Sequence, residues 1–141
     1  MREIIFKAKR IDNGEWIEGY LFDNGFDGEE KKYFVGGLVI EKYNGTACDE
    51  WDITGIDFCE IDPETLCQFT GLCDRYENKI WENDILMAHL DESYPEDVTY
   101  ETVEWGVAGW VTHEADSIDR QYLDGFDLEH FEIVGNIFDT V

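Results

Sequence analysis

Short segments in which apolar and polar residues alternate recur along the chain, and they predict a mainly β protein. The segment between residues 15 and 22 is a clear example. It places Trp16, Glu18, Tyr20 and Phe22 on one face and Ile17, Gly19 and Leu21 on the other. Because both faces are largely apolar, we expect this strand to be covered on both sides.

The neighbouring segments extend this pattern, so residues 1–61 form a predicted N-terminal β subdomain. Residues 3–10 alternate, and the Asn13-Gly14 dipeptide indicates a hairpin turn into the next strand. A third strand, over residues 33–40, contains Gly36 and Gly37. We expect these glycines at a bulge or at a point where two backbones come close together.

Residues 62–73 depart from alternation and predict a short central helix. Asp62 suits the N-cap, Pro63 suits the first helical position, and Gly71 suits the left-handed residue that ends a helix. The apolar residues of this segment recur at three-residue spacing and are Leu66, Phe69 and Leu72. We therefore expect a helix of two turns here.

Strand-like segments return after residue 73 and are separated by turns. They cover residues 85–88, 98–105, 110–113 and 131–138. The order of strand, loop, strand, turn and strand is typical of a small SH3-like barrel. We expect residues 74–141 to form such a barrel, within a single domain that spans residues 1–141.

Three separated motifs resemble one known family. The central motif consists of Gln68, Phe69, Thr70, Gly71, Leu72, Asp74, Ile80, Glu82, Asp84 and Ile85. It resembles the motif Q-[YF]-T-G-L-x-D-x-x-G-x-x-I-[YF]-E-G-D-I of the YopX family of phage and prophage proteins. The opening REIIFKA at residues 2–8 and the closing FEIVGNIF at residues 131–138 are similar to the family's terminal motifs.

The resemblance implies a phage or prophage origin and structural roles for the motif residues, including Gly135 and Asn136. It implies no catalytic residue. Glu77 and Asn83 stand where the family has turn glycines. Because asparagine tolerates a positive φ, we expect Asn83 to keep its turn and Glu77 to change the shape of its own.

The net charge of the chain limits the kinds of molecule that we expect it to bind. The chain carries 34 acidic and 10 basic residues, a net charge of −24, and residues 82–141 contain only one base, Arg120. Direct binding to nucleic acid or to an anionic membrane surface is therefore not expected. The chain also lacks an apolar run of 18 residues and a secretory leader, so we expect a cytoplasmic location in the host cell.

Candidate chemical groups are few. Cys48, Cys59, Cys67 and Cys73 have no CxxC spacing, so reduced thiols are expected, with a zinc site or a Cys67–Cys73 redox pair as alternatives. Glu82 and Asp84 are the best candidate acids. We expect Asp84 to bond the turn backbone and Glu82 to face solvent. No catalytic, metal-binding or cofactor-binding residue is predicted.

These observations favour a protein-binding module, in which the acidic surface engages a basic host or phage protein. In one form of this hypothesis the surface mimics the charge of DNA. The alternatives are a homo-oligomer built through strand edges and exposed aromatic residues, and an enzyme that uses an unrecognised site. We expect most tryptophans and tyrosines in the core, with one or two exposed.

Overall fold

The computed structural model describes residues 2–44, 49–89, 93–125 and 128–139, and this part of the chain is mainly β, as the sequence predicts. The strands are β1 (Phe6–Lys9), β2 (Trp16–Asp23), β3 (Tyr33–Asn44), β4 (Asp49–Glu60), β5 (Cys67–Cys73), β6 (Lys79–Trp81), β7 (Asp84–His89), β8 (Val98–Trp105), β9 (Trp110–Glu114), β10 (Gln121–Tyr122) and β11 (Phe131–Asn136). Short 3-10 helices cover Gly28–Glu30, Pro63–Thr65 and Leu128–His130. Among the described residues, no helix has the length and apolar character needed to cross a membrane.

The chain divides into two units. The N-terminal unit consists of residues 5–66, and the C-terminal unit consists of residues 1–4 and 67–141. Within the N-terminal unit the antiparallel strands lie in the order β4-β3-β2-β1. The long hairpin of β3 and β4 is paired from Phe34 and Glu60 to Asn44 and Asp49, with a bulge after Val39.

One side of this N-terminal sheet carries the core of the unit. Ala8, Val35 and Ile61 are buried there, and four partly buried apolar residues pack against them: Ile17, Leu21, Tyr33 and Leu66. The face of β2 that contains Ile17 and Leu21 is therefore covered as predicted. The face that contains Tyr20 and Phe22 is not covered, because both side chains are exposed.

Gly36 lies where the backbones of the sheet come close, as the sequence predicts. A Cβ atom at this position would lie 2.1 Å from the carbonyl oxygen of Asp57 and 2.5 Å from the Cα atom of Phe58. The hairpin can therefore adopt this close approach only with glycine at position 36. The bulge of the hairpin lies further along, between Val39 and Ile40.

The predicted helix over residues 62–73 is wrong beyond its first turn. Asp62 does cap the segment, because its side chain accepts a hydrogen bond from the Glu64 N–H, and only Pro63–Thr65 is helical. Leu66 has an extended backbone, and residues 67–73 form β5. Strand pairing with β6 determines the structure here, and Gly71, with a φ of 86°, lies within an irregular stretch of that pairing.

The C-terminal unit contains the β5–β6 hairpin and a five-stranded antiparallel sheet in the order β10-β9-β8-β7-β11. Its core consists of Ile80, Leu86, Ala88, Val103, Trp110 and Phe131. The predicted SH3-like barrel is not confirmed, because the sheet does not close. Its edge strand β10 has only two residues, and both are exposed, so the strand is too short to complete a barrel.

Replacing Gly36 with alanine tests the close approach in the hairpin. We expect Gly36→Ala to lower the free energy of unfolding by about 2–4 kcal/mol, because the new methyl group meets rigid backbone rather than a movable side chain. Gly55→Ala in the same hairpin is the control, since its Cβ would lie 3.9 Å from the Val39 side chain. Equal unfolding midpoints for the two variants in urea would contradict the close approach.

Candidate functional site

Asp84 is the buried centre of the motif residues. Its side chain is only 1% exposed. One carboxylate oxygen accepts a hydrogen bond of 2.7 Å from the backbone N–H of Trp81, and the other accepts one of 3.0 Å from the side-chain amide of Asn136. Asp84 therefore bonds the turn backbone, as the sequence predicts, and it also joins that turn to β11.

The turn before Asp84 is held by the neighbouring residues. Asn83 has a φ of 69°, so it keeps the left-handed turn as predicted. Its N–H donates to the carbonyl oxygen of Val103 over 2.8 Å, and its own carbonyl oxygen accepts from the Ile137 N–H over 3.0 Å. This single residue thus links β8 to the end of β11.

Glu82 is half-buried and hydrogen-bonded. Its Oε1 atom accepts from the Gln68 N–H over 3.2 Å, and its own N–H donates to the Gln68 carbonyl oxygen over 2.9 Å. The prediction that Glu82 faces solvent is therefore wrong. Asn136 donates to the Glu82 carbonyl oxygen over 3.3 Å, and the amides of Asn83 and Asn136 lie 3.6 and 3.7 Å from the Cys67 sulfur.

Asp74 organises the other motif turn. Its Oδ1 atom accepts from the backbone N–H groups of Tyr76 and Asn78, each over 2.9 Å, and its Oδ2 atom accepts from the Ile133 N–H over 3.1 Å. Burial acts to raise the pKa of Asp74, but the backbone hydrogen bonds from Ile133, Asn78 and Tyr76 outweigh burial and hold the pKa below its ordinary value. Glu77, at which we expected a change in the shape of the turn, has a φ of 66°, so a left-handed residue is present in this turn.

The remaining motif residues shape β5 and the end of β11. The Phe69 ring packs on the Trp81 ring with 5.5 Å between centroids. The Thr70 hydroxyl donates to the Ile80 carbonyl oxygen and accepts from the Leu72 N–H. Gly135 lies at the irregularity in the pairing of β11 with β7. All ten predicted motif residues thus lie in the C-terminal unit.

The described residues contain no group of three or more histidine, cysteine or acidic side chains that could hold a metal ion. Cys67 and Cys73 are not joined in a disulfide, and Cys48 lies outside the described residues.

A second candidate site is a continuous apolar surface on the N-terminal sheet. The strand register places nine residues on the side opposite the core, and we call this surface the apolar face: Tyr20, Phe22, Phe34, Leu38, Ile40, Trp51, Ile53, Ile56 and Phe58. Trp51 is 73% exposed, Tyr20 63% and Ile53 60%. Phe22, Phe34 and Phe58 form a cluster with ring centroids 5.4–5.8 Å apart.

A depression lies in the middle of the apolar face. It has a volume of about 390 Å³, and it is lined by Tyr20, Phe22, Leu38, Ile40, Ile56 and the backbone of Gly36 and Gly37. The missing side chain at Gly36 opens the floor of the depression between Tyr20 and Phe58, its partners on the two neighbouring strands. Because its walls are large apolar side chains and its floor is glycine backbone, the depression is suited to receive one apolar side chain.

We did not predict this face from the sequence, because we expected most aromatic residues in the core. Trp81 and Trp110 are buried as expected, but Trp51, Trp105, Tyr94, Tyr100 and Tyr122 are exposed, together with Tyr20 and Tyr76. The pattern of residues 15–22 could have indicated this face. Both sides of that strand are apolar, but only one side is covered within the N-terminal unit.

Truncating Asp84 tests the buried turn. We expect Asp84→Ala to lower the free energy of unfolding by about 2–4 kcal/mol, because the Trp81 N–H and the Asn136 amide lose their charged acceptor. Asp116→Ala is the control, since Asp116 is exposed, and it should change stability by about 0.5 kcal/mol or less. Urea denaturation at pH 7 measures both, and similar losses in the two variants would refute the assigned role.

The lowered pKa of Asp74 predicts a pH dependence. The ionised carboxylate stabilises the fold fully above its unfolded pKa of about 4, and this contribution is lost as the pH falls through the lower folded value. Wild type should therefore exceed Asp74→Asn in unfolding free energy by about 1–2 kcal/mol at pH 7, and the difference should shrink below about pH 4. A difference that stays constant down to about pH 2.5 would contradict the assignment.

Comparisons with known proteins agree with the fold and the motifs. The model of the YopX protein family matches residues 7–141. The crystal structure of protein EF1440 from Enterococcus faecalis is similar over 98% of this chain and 95% of that chain, with a TM-score of 0.60 and 17% sequence identity, a level that shows a shared fold alone. A comparison with curated proteins finds no match. Because the family model covers nearly the whole sequence, this chain belongs to the YopX family.

Proposed function

We propose that this YopX-family protein is a non-catalytic protein-interaction module of a phage or prophage, and that it acts in the cytoplasm of the host. The apolar face is its contact surface. The single observation that carries the proposal is the continuous exposure of large apolar side chains across β2, β3 and β4.

The size of the face supports this role. Isolated exposed apolar residues are normal on protein surfaces, but contiguous patches of several hundred Å² mark contact sites. Aromatic side chains bury about 150–250 Å² each, so the exposed fractions of the face correspond to a side-chain area on the order of 800 Å². That is about the area that each partner contributes to a standard protein interface.

The composition of the face also supports a protein partner. Tryptophan and tyrosine are enriched among residues that dominate binding energy, and Trp51 and Tyr20 are its most exposed members. The face has a polar border at β1, where Lys7 and Lys9 lie on the same side and approach the Trp16 ring. An apolar centre with a charged border is the usual organisation of a protein interface.

The distribution of charge leaves the centre of the face accessible. The hairpin acids Glu41, Asp52 and Asp57 fall on the other side of the ribbon according to the register, and Glu60 falls on the apolar side at its border, opposite Phe34. A partner can therefore cover the apolar residues without burying these carboxylates, which would cost several kcal/mol for each unpaired charge. Complete burial of a leucine or phenylalanine side chain is worth about 1.5–3 kcal/mol, so a few contacts supply appreciable affinity.

Capture in the native host tests the proposal. Tagged wild type, Ile56→Lys and Ile118→Lys would be expressed, cross-linked and recovered under identical conditions, and the bound proteins quantified. Ile56 and Ile118 are both exposed, but only Ile56 lies on the apolar face. We expect the specific partner to be recovered with wild type and Ile118→Lys, and to fall at least about 10-fold with Ile56→Lys, because the contact would bury an ammonium group. Equal recovery with all three baits would refute the proposal.

A further inference from the structure

We propose that the partner covering the apolar face is a second copy of this chain, bound about a two-fold axis, with Trp51 of each copy seated in the depression of the other. This inference rests on the proposed function, since it requires the apolar face to be the contact surface. It adds the identity of the partner and the register of the contact.

The face carries a projecting group and a receiving site at different positions along one ribbon. Trp51 is opposite Lys42 near one end of the hairpin, and the floor of the depression lies at Gly36, which is opposite Phe58. Lys42 lies six positions after Gly36 in β3, which corresponds to about 20 Å at the rise of a β-strand. The residues that line the depression do not include Trp51 of the same chain.

A two-fold axis brings these two features together. In a symmetric dimer the same patch is used by both subunits, so a residue that contacts a second position is itself contacted by that position in the partner. An axis halfway along the 20 Å interval places each Trp51 over the other copy's depression. Both insertions then form at once, and a single geometry satisfies the two copies.

The residues near that axis suit contact with themselves. Three walls of the depression, Leu38, Ile40 and Ile56, occupy the interval between Gly36 and Trp51 together with Ile53, and each of the four is exposed by 52–62%. Aliphatic side chains can pack on identical side chains without unpaired charge. The depression supplies a mainly apolar wall for the indole ring, which is the kind of buried anchor that dominates interface energies.

Charge explains why this face is favoured for self-association. Two copies that each carry a net charge of −24 repel one another, and the repulsion is weakest where few carboxylates are brought into contact. The hairpin acids Glu41, Asp52 and Asp57 lie on the opposite side of the ribbon and remain solvated in the dimer. Glu60, opposite Phe34, and Glu18, opposite Lys7, lie on the apolar side at its border. Added salt screens the residual repulsion, and the dimer should therefore become tighter as ionic strength rises.

Analytical ultracentrifugation of the full chain tests the dimer. Wild type would be sedimented from about 0.5 to 50 μM, at about 50 and 300 mM NaCl, beside Trp51→Ala, Ile53→Lys and the control Ile118→Lys. We expect wild type and Ile118→Lys to sediment at twice the chain mass of 16.4 kDa at the upper concentrations. Because each substitution occurs twice in the dimer, Trp51→Ala and Ile53→Lys should weaken association at least about 100-fold.

A fluorescence measurement checks the register independently. Trp51→Phe would be compared with wild type, so that the difference in emission reports Trp51 alone. On dilution from 50 to 0.5 μM, this difference spectrum should shift to longer wavelength as Trp51 leaves the depression and enters water. Circular dichroism of every variant would establish that the strands are retained.

The outcomes separate this inference from the proposed function. Wild type that remains monomeric at 50 μM in both salts, or a dimer that persists in Trp51→Ala and Ile53→Lys, overturns the inference. A dimer that weakens with added salt also overturns it, because that result indicates contact between opposite charges. If wild type is monomeric while the host capture still recovers a different protein that Ile56→Lys loses, the apolar face is a contact surface for that protein and only the self-association fails.

Discussion

A buried carboxylate is stable in a protein only if its oxygens are hydrogen-bonded, and Asp84 imposes this requirement on the C-terminal unit. Its two oxygens bond the backbone of Trp81 and the side chain of Asn136, residues that are far apart in the sequence. The β6–β7 turn and the end of β11 must therefore be in place together. Asn83, Glu82 and Cys67 contribute further contacts to this same region. We conclude that the central and closing motifs of the family form one structural element.

The turns were predictable because their determinants are local. Asn83 and Asp84 carry the chemistry of a tight turn in adjacent residues, and the Asp62-Pro63 pair specifies the start of a helical turn in the same way. The helix prediction failed because three apolar residues at three-residue spacing also fit an irregular strand. Phe69 faces Trp81 of β6, while Gly71 absorbs the irregularity. The local pattern is compatible with both a helix and a strand, and pairing with β6 favours the strand.

Neither the open sheet nor the apolar face could be predicted from the alternation of apolar and polar residues alone. Alternation predicts strands but not how many residues each contributes to a closing edge, and β10 is too short to close the sheet. In the same way, an apolar side chain indicates burial without indicating which molecule covers it. Tyr20 and Phe22 have the pattern of a covered strand, yet the N-terminal unit covers only the opposite side of β2. The sequence pattern therefore indicated the apolar face, but we interpreted its residues as part of the core.

The bulge in the β3–β4 hairpin also limits how this hairpin can change in length. Ile56 and Phe58 are at even positions and Trp51 and Ile53 at odd ones, but the extra residue at the bulge brings all four to one side of the ribbon. Losing Thr54 alone would remove the bulge and leave Ile40 opposite Ile53, so every other residue would keep its side of the ribbon. A one-residue deletion at the bulge should therefore be tolerated among relatives, whereas a one-residue change in β3, which has no unpaired residue, would move the residues beyond it to the other side.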